Sequence, residues 1–179
     1  MSSLNLEKYD EWKDDPDMIG DVMRFLDNVL SDFINKAPEQ FKDAKYSAER
    51  ERSVGLGVMG FHSFLQKKRI PLESVMAKSW NKKIFKNIHE KVNQASKDLA
   101  EERGACPDAA EYGFKERFSN KTAIAPTASI SIICGGASPG VEPIACLLYT
   151  SDAADEGSSV ERGGRRIIKK GGGGGGGGG

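Results

Sequence analysis

The stretch "NKTAIAPTASISIICGGASPGVEP", residues 120–143, decides the fold class that we expect for this chain. Within it, "TAIAP" predicts a short strand that ends at Ala125, because the proline at position 126 lacks the N–H group that a strand ladder needs. Ile130, Ile132 and Ile133 follow this turn closely. We expect these three side chains to lie in the hydrophobic core and to keep the polar residues before them rigid.

The segment "PTASIS" between the strand and the isoleucines is a candidate anion site. After Pro126, the residues Thr127, Ala128, Ser129 and Ile130 present consecutive backbone N–H groups, and unpaired N–H groups at a turn or helix start carry partial positive charge. Such a loop needs no lysine or arginine to hold a phosphate. Its hydroxyls at the edge belong to Thr127, Ser129 and Ser131. A plain strand and turn capped by these hydroxyls is the alternative interpretation.

The residues from Cys146 to Gly179 differ in composition from the rest of the chain. They read "CLLYTSDAADEGSSVERGGRRIIKKGGGGGGGGG", without a periodic apolar face from which a core could form. The words "CLLYTSDAADE" look like a translated sequencing adaptor, and the closing glycines look like read-through of blank signal. We therefore expect residues 146–179 to be a disordered, non-native tail and residues 1–145 to hold the fold. A natural flexible Gly-rich linker is the alternative.

Helices are predicted on both sides of a polar stretch in the first half of the chain. The first spans residues 21–36, where Asp21 can cap the helix and apolar residues recur at spacings of three and four. Residues 39–52 are polar and are interpreted as a loop or helix edge. A further helix is expected from about Val58 to Lys68.

The longest predicted helix begins at Ser74, a good N-cap, and ends at Arg103. Gly104 follows in the C′ position, where a left-handed backbone is preferred. The apolar positions of this helix form one stripe, namely Met76, Trp80, Ile84, Ile88, Val92, Ala95 and Leu99. A scaffold helix packed on a sheet is the interpretation that this pattern favours.

Composition excludes several classes of function. The chain has 26 basic and 26 acidic side chains, so no charge excess indicates nucleic acid or an anionic membrane as a partner. No apolar run approaches the roughly 20 residues of a membrane span, and no secretory signal pattern follows Met1. We expect a cytoplasmic protein.

The residue types that most often carry chemistry form no recognisable site. Cys106 and Cys134 lack metal-ligand spacing and are expected to be buried thiols rather than a disulfide. His62 and His89 have no paired acid or nucleophile at helical spacing, so packing or surface roles are expected for both.

"VGLGVMG" contains a GxGxxG pattern, formed by Gly55, Gly57 and Gly60. A dinucleotide-binding turn of this kind follows a strand, whereas the residues before it, "SAERERS", are charged. We expect these glycines instead to allow close approach of a neighbouring segment.

Four stretches, taken in order, resemble the large subunit of ribonucleotide reductase. "SSLNLEKYDEW" (residues 2–12) is similar to the segment directly after a redox-active cysteine in that family, and "ERSVGLGVMGFHSFL" (51–65) resembles its Arg-x-x-Gly-x-Gly-Val helix start. "LAEERGACP" (99–107) resembles the end of its long helix, and residues 120–143 resemble its late barrel segment. The resemblance covers about Ser2 to Ala145.

The resemblance implies an α/β fold, part of a ten-stranded α/β barrel that is incomplete in this chain. It also implies an enzyme of deoxyribonucleotide biosynthesis, which reduces ribonucleoside diphosphates at the 2′ carbon by cysteine thiyl radical chemistry. In this family the loop after the proline binds substrate phosphates largely through main-chain N–H groups. Carried over by motif, Pro126 fixes the turn, and Thr127, Ala128, Ser129 and Ile130 provide the donors. Acidic residues at the loop's third position occur in some relatives; here Ala128 removes that charge and leaves the N–H group.

The resemblance also implies groups that this chain does not supply. The radical and redox cysteines of the family are expected outside the chain, so no catalytic residue is assigned and no cofactor is expected on this segment, which should be inactive alone. The family needs a small subunit with a radical-generating metallocofactor, a second large subunit, and nucleotide effectors including ATP. A stand-alone phosphate-binding α/β module and a structural helical fragment without catalysis are the alternatives.

Overall fold

A computed structural model of the chain describes residues 1–144, 159–160 and 166–167. Its helices are α1 (Tyr9–Trp12), α2 (Met18–Lys36), α3 (Lys42–Glu51), α4 (Phe61–Lys67), α5 (Val75–Arg103), α6 (Pro107–Glu111) and α7 (Ala128–Ile133). Its strands are β1 (Ser2–Asn5), β2 (Leu56–Met59), β3 (Ser159–Val160) and β4 (Arg166–Ile167), and short 3-10 turns lie at Leu6–Lys8 and Glu39–Phe41.

Residues Met1–Pro143 form one compact unit, and Ile144–Gly179 form another. In the second unit the strands β3 and β4 pair antiparallel, with Ser159 opposite Ile167. The rest of the tail, for which we predict disorder, lies outside the described residues. Across the described part of the chain, no helix is both long and apolar enough to cross a membrane.

The first unit is built on parallel strands. β1 pairs with β2, with Ser2 opposite Leu56 and Asn5 opposite Met59. On the other side of β2, the Leu56 N–H donates to the Lys121 carbonyl, and the Leu56 carbonyl accepts from the Ala123 N–H. The predicted strand at "TAIAP" is thus a single parallel bridge from Leu56 to Thr122. Neighbouring parallel strands need long crossover connections, and here helices fill each connection. The presence of these strands excludes a purely helical fragment.

The expected helix from Val58 is wrong at its start. The residues Leu56–Met59 form β2, all four of them buried, and α4 begins only at Phe61. A short apolar run bounded by glycines suits a buried parallel strand, which has neighbours on both faces.

Close approach at the glycines is confirmed at Gly57. A Cβ atom built on this residue would lie 2.3 Å from the Ala123 carbonyl oxygen, so only glycine allows residues 121–124 to run alongside β2.

Helix α2 begins three residues before the predicted start, at Met18. The carboxylate of Asp15, rather than that of Asp21, accepts hydrogen bonds from the N–H groups of Asp17 and Met18. Of the apolar residues whose repeat predicts this helix, Leu26 and Ile34 are buried, whereas Phe25, Val29 and Phe33 are exposed. Ile19 and Met23, which the prediction did not include, complete the buried face.

The segment 39–52, interpreted as a loop or helix edge, is largely helix α3. No residue of α3 is fully buried, in agreement with its polar sequence. Arg50 on α3 forms ion pairs with Asp108 and Glu111 of α6. These ion pairs hold α3 against α6, although the sequence of α3 has no apolar face that predicts packing.

Helix α5 confirms the prediction of the longest helix. Its N-cap Ser74 accepts a hydrogen bond from the Ala77 N–H, and Gly104 ends the helix with a φ of 88°. The predicted stripe is buried from Ile84 to Leu99, whereas Met76 is exposed and Ala77 is buried in its place. A spacing of seven residues back from Ile84 leads to Ala77, which explains the difference.

A buried carboxylate joins α2 to three other segments. Asp27 is fully buried and accepts hydrogen bonds from Arg52, Arg103 and Arg117. Burial opposes its ionisation, yet the hydrogen bonds from the three guanidinium groups outweigh burial and hold the pKa of Asp27 below its ordinary value. This carboxylate is therefore a charged centre of the fold.

Candidate functional site

The segment after Pro126 adopts the turn that the sequence predicts. Thr127 has φ 52° and ψ 25°, in the left-handed region, and α7 begins at the next residue. A β-branched residue rarely adopts this conformation, because its side chain crowds the backbone. Such strain persists only where surrounding contacts hold it, and it concentrates at functional sites.

The candidate donors are free to bind a ligand. In the part of the chain that the structure describes, no group accepts a hydrogen bond from the N–H of Thr127, Ala128, Ser129 or Ile130. The first paired N–H of this turn is that of Ser131, which donates to the Thr127 carbonyl at 2.9 Å. Ala128, Ser129 and Ile130 are exposed and Thr127 is partly buried, so this turn lies at the surface.

Two of the three hydroxyls expected at the edge of the loop already form hydrogen bonds within the protein. The Thr127 Oγ1 accepts a hydrogen bond from the Gly140 N–H at 2.8 Å, and the buried Ser131 donates its hydroxyl to the Ala128 carbonyl at 3.1 Å. Of the three, only Ser129 is exposed. The loop thus offers a ligand main-chain groups more than hydroxyls.

The expectation that the isoleucines anchor the loop is wrong. Ile130, Ile132 and Ile133 are 46%, 73% and 83% exposed. The turn of α7 directs Ser131 inward instead, and Ala137 and Ser138 complete the buried side. Hydrogen bonds rather than apolar contacts therefore hold the loop in this structure.

Sequence reasoning missed the residues that tie this region to α4. Ser63 and Ser138 exchange hydrogen bonds: the Ser138 N–H donates to Ser63 Oγ at 2.9 Å, and the Ser63 N–H donates to Ser138 Oγ at 3.2 Å. The Gly60 N–H donates to the Ser138 carbonyl at 2.7 Å. The two serines are 75 positions apart, and no local pattern indicates their contact.

A cavity of about 600 Å³ is lined in part by residues that precede the loop in the chain, but the cavity is separate from the loop. Its walls come from β2, α5 and residues 122–124, and its lining is mostly apolar, with Lys86 and His89 among the polar members. None of residues 126–130 lines it. We base the site on the loop, where convergent polar groups are present.

The cysteines and histidines do not form a reactive site in the described residues. Cys106 is buried and Cys134 is exposed, and both are free, so the expectation of two buried thiols is correct only for Cys106. His89 lies on the exposed side of α5. Within residues 1–144 and the two short strands, no cluster of three His, Cys, Asp or Glu side chains is arranged to hold a metal ion.

Comparison with known proteins identifies the family to which this chain is similar. A family model described as "Ribonucleotide reductase, barrel domain" matches residues 1–120. The ribonucleoside-diphosphate reductase large subunit of Invertebrate iridescent virus 6 is 49% identical over 152 residues, which cover 85% of this chain and 16% of that protein. The corresponding large subunit of Invertebrate iridescent virus 3 is 45% identical and covers 85% of this chain and 24% of that protein.

A solved structure is also similar. The Actinobacillus ureae class Id ribonucleotide reductase alpha subunit superposes with a TM-score of 0.77 at 37% identity, over 87% of this chain and 31% of that chain. The parallel strands and the long crossover helix agree with a segment of an α/β barrel domain. The chain belongs to the ribonucleotide reductase large-subunit family, as part of its barrel domain. It spans about a sixth to a quarter of the length of its two viral relatives.

Proposed function

We propose that the segment 126–130 is the substrate-phosphate loop of a ribonucleoside-diphosphate reductase. Pro126 fixes the turn, and the N–H groups of Thr127, Ala128, Ser129 and Ile130 bind the diphosphate of a ribonucleotide. Holding the phosphates fixes where the ribose lies, which prepares its 2′ carbon for reduction by the thiyl radical of a cysteine elsewhere in the enzyme.

The observation that carries this proposal is the set of four backbone N–H groups without an internal acceptor, directly after a left-handed Thr127. Oriented backbone N–H groups form concavities that bind anions. Ala128 supports the same view, because it contributes an N–H group and no negative charge that would repel a phosphate.

Membership of the family supports the proposal for the rest of the enzyme. We propose that the segment belongs to a ten-stranded α/β barrel, to which β1 and β2 contribute neighbouring parallel strands. A second large subunit, a small subunit with a radical-generating metallocofactor, and nucleotide effectors including ATP are the proposed partners. A cytoplasmic location is proposed with them, and catalytic cysteines are assigned to other parts of the assembly.

Replacing Ser129 by proline tests the loop. Proline removes one N–H donor and is tolerated in the first turn of a helix, where that N–H has no internal partner. Since a hydrogen bond to a charged group contributes about 1.5–3 kcal/mol, Ser129→Pro should weaken binding of a ribonucleoside diphosphate roughly ten- to a hundred-fold. Isothermal titration of the chain with the diphosphate measures this change.

Ser129→Ala is the matched control, because it removes the hydroxyl and keeps the N–H group. We expect its affinity to stay within about threefold of the unchanged chain. Equal losses in the two variants would assign the contact to the hydroxyl, and no loss in either would remove phosphate binding from this loop. Far-UV circular dichroism of each variant confirms that it is folded.

A further inference from the structure

We propose that Ser63 and Ser138 are positioning residues that hold the loop 126–130 in its conformation. This inference rests on the proposed phosphate role of the loop. Among the described residues neither serine is hydrogen-bonded to residues 126–130, and both act on the loop through the backbone of residues 138–140.

The first step concerns the start of helix α4. Its N-cap is Gly60, with a φ of 80°, and glycine has no side chain that can accept a hydrogen bond from the first turn. Ser138 replaces the missing cap from a distant part of the chain, because its Oγ accepts the hydrogen bond of the Ser63 N–H. In return, Ser63 Oγ accepts from the Ser138 N–H.

The second step leads from this cap to the loop. Gly140 lies two residues after Ser138, and its carbonyl accepts from the Phe61 N–H of α4 at 3.5 Å. The Gly140 N–H donates in the opposite direction, to Thr127 Oγ1 at 2.8 Å. The start of α4 therefore fixes residues 138–140, and these residues fix Thr127 in its strained conformation.

The third step is burial. Ser138 is 0% exposed and Ser63 is 9% exposed, so water is a poor substitute for either hydroxyl. A buried N–H group without an acceptor strongly destabilises the structure around it, and that structure relaxes until the group finds another partner. Loss of the hydrogen bonds of Ser138 should therefore weaken the hydrogen bond between Gly140 and Thr127 and let both residues change conformation.

Ser138→Ala tests the inference in the whole chain. We expect hydrogen exchange of the Gly140 amide to accelerate at least about tenfold, because the local opening that exposes this amide becomes easier. We also expect inorganic pyrophosphate to bind about tenfold more weakly, since the N–H groups of the loop are then less well ordered. NMR measures both quantities on one labelled sample.

Two further variants separate positioning from general stability. Ser138→Thr keeps the acceptor and should restore the protection of Gly140 and the affinity to within about threefold. Ser119→Ala removes a different serine hydrogen bond between distant segments, the exposed 2.9 Å hydroxyl-to-hydroxyl contact of Ser119 with Ser53, and should change neither quantity. Should Ser138→Ala fail to fold, Ser63→Ala removes one of the two bonds and leaves the cap of α4 in place.

The outcomes distinguish this inference from the proposed function. Unchanged protection of Gly140 in Ser138→Ala, or unchanged pyrophosphate affinity despite lost protection, would overturn the positioning role. If protection is lost and restored by threonine while the unchanged chain shows no pyrophosphate binding, the serine pair holds the loop and the phosphate assignment fails.

Discussion

Replacement of Asp27 by alanine is expected to lower the free energy of unfolding by about 3–5 kcal/mol, the usual effect of removing one partner from a buried ion pair. Asp27 is fully buried, and the side chains of Arg52 and Arg117 are each 11% exposed. Without the carboxylate, two nearly buried guanidinium groups lose their counter-charge. The change also disconnects α2 from the end of α5, where Arg103 donates to the same carboxylate.

Chemical denaturation with urea measures this effect, and Asp32→Ala is the control on the same helix. Asp32 is exposed and pairs with Lys36 one turn away, so its loss should change the free energy of unfolding by at most about 1 kcal/mol. If Asp27→Ala leaves the chain unfolded, Asp27→Asn keeps the volume and part of the hydrogen bonding. Equal stabilities of the Asp27 and Asp32 variants would show that the arginines find other partners.

The same carboxylate should make stability depend on pH. The pKa of Asp27 lies below its ordinary value in the folded chain, because the arginine hydrogen bonds outweigh the opposing effect of burial. In the unfolded chain an aspartate titrates at about pH 4, so the stabilisation is complete above that pH and is lost as the pH falls through the folded pKa. We expect urea midpoints to fall more steeply below about pH 4 in the unchanged chain than in Asp27→Asn. Parallel curves would contradict this assignment.

Replacement of Gly57 by alanine is expected to lower the free energy of unfolding by about 3 kcal/mol or more, at the upper end of overpacking effects. The new Cβ would lie 2.3 Å from the Ala123 carbonyl oxygen, which belongs to the backbone and cannot rotate away. Relief requires residues 121–124 to move from β2, and that movement breaks the hydrogen bonds between Leu56 and this segment. Thermal unfolding of the variant tests the effect.

Gly20→Ala is the matched control for this substitution. Gly20 lies inside α2, and nothing is within 4 Å of a Cβ atom built on it. Alanine favours the helix over glycine, so this variant should gain about 0.5–1 kcal/mol. A comparable loss in both glycine variants would mean that the contact at Ala123 is relieved without consequence.

Some features of this protein follow from local sequence alone. The capping Ser74, the repeating apolar residues from Ile84 to Leu99 and the closing Gly104 determine α5, because each acts within a turn or two of its own helix. The turn at Pro126 is similarly local, since proline restricts its own backbone and that of the residue before it.

Other features were decided only by the tertiary structure. The helix expected from Val58 begins only at Phe61, because the short run Leu56–Met59 shows no period and is recognisable as a strand only beside β1 and residues 121–123. The isoleucines of α7 are apolar, but the inward direction of Ser131 turns them to solvent. The sequence located the candidate donors at Thr127–Ile130, whereas the contact of Ser63 with Ser138 that ties residues 138–140 to α4 joins residues 75 positions apart. Contacts of this kind depend on how the helices and strands pack, and short-range sequence patterns do not predict them.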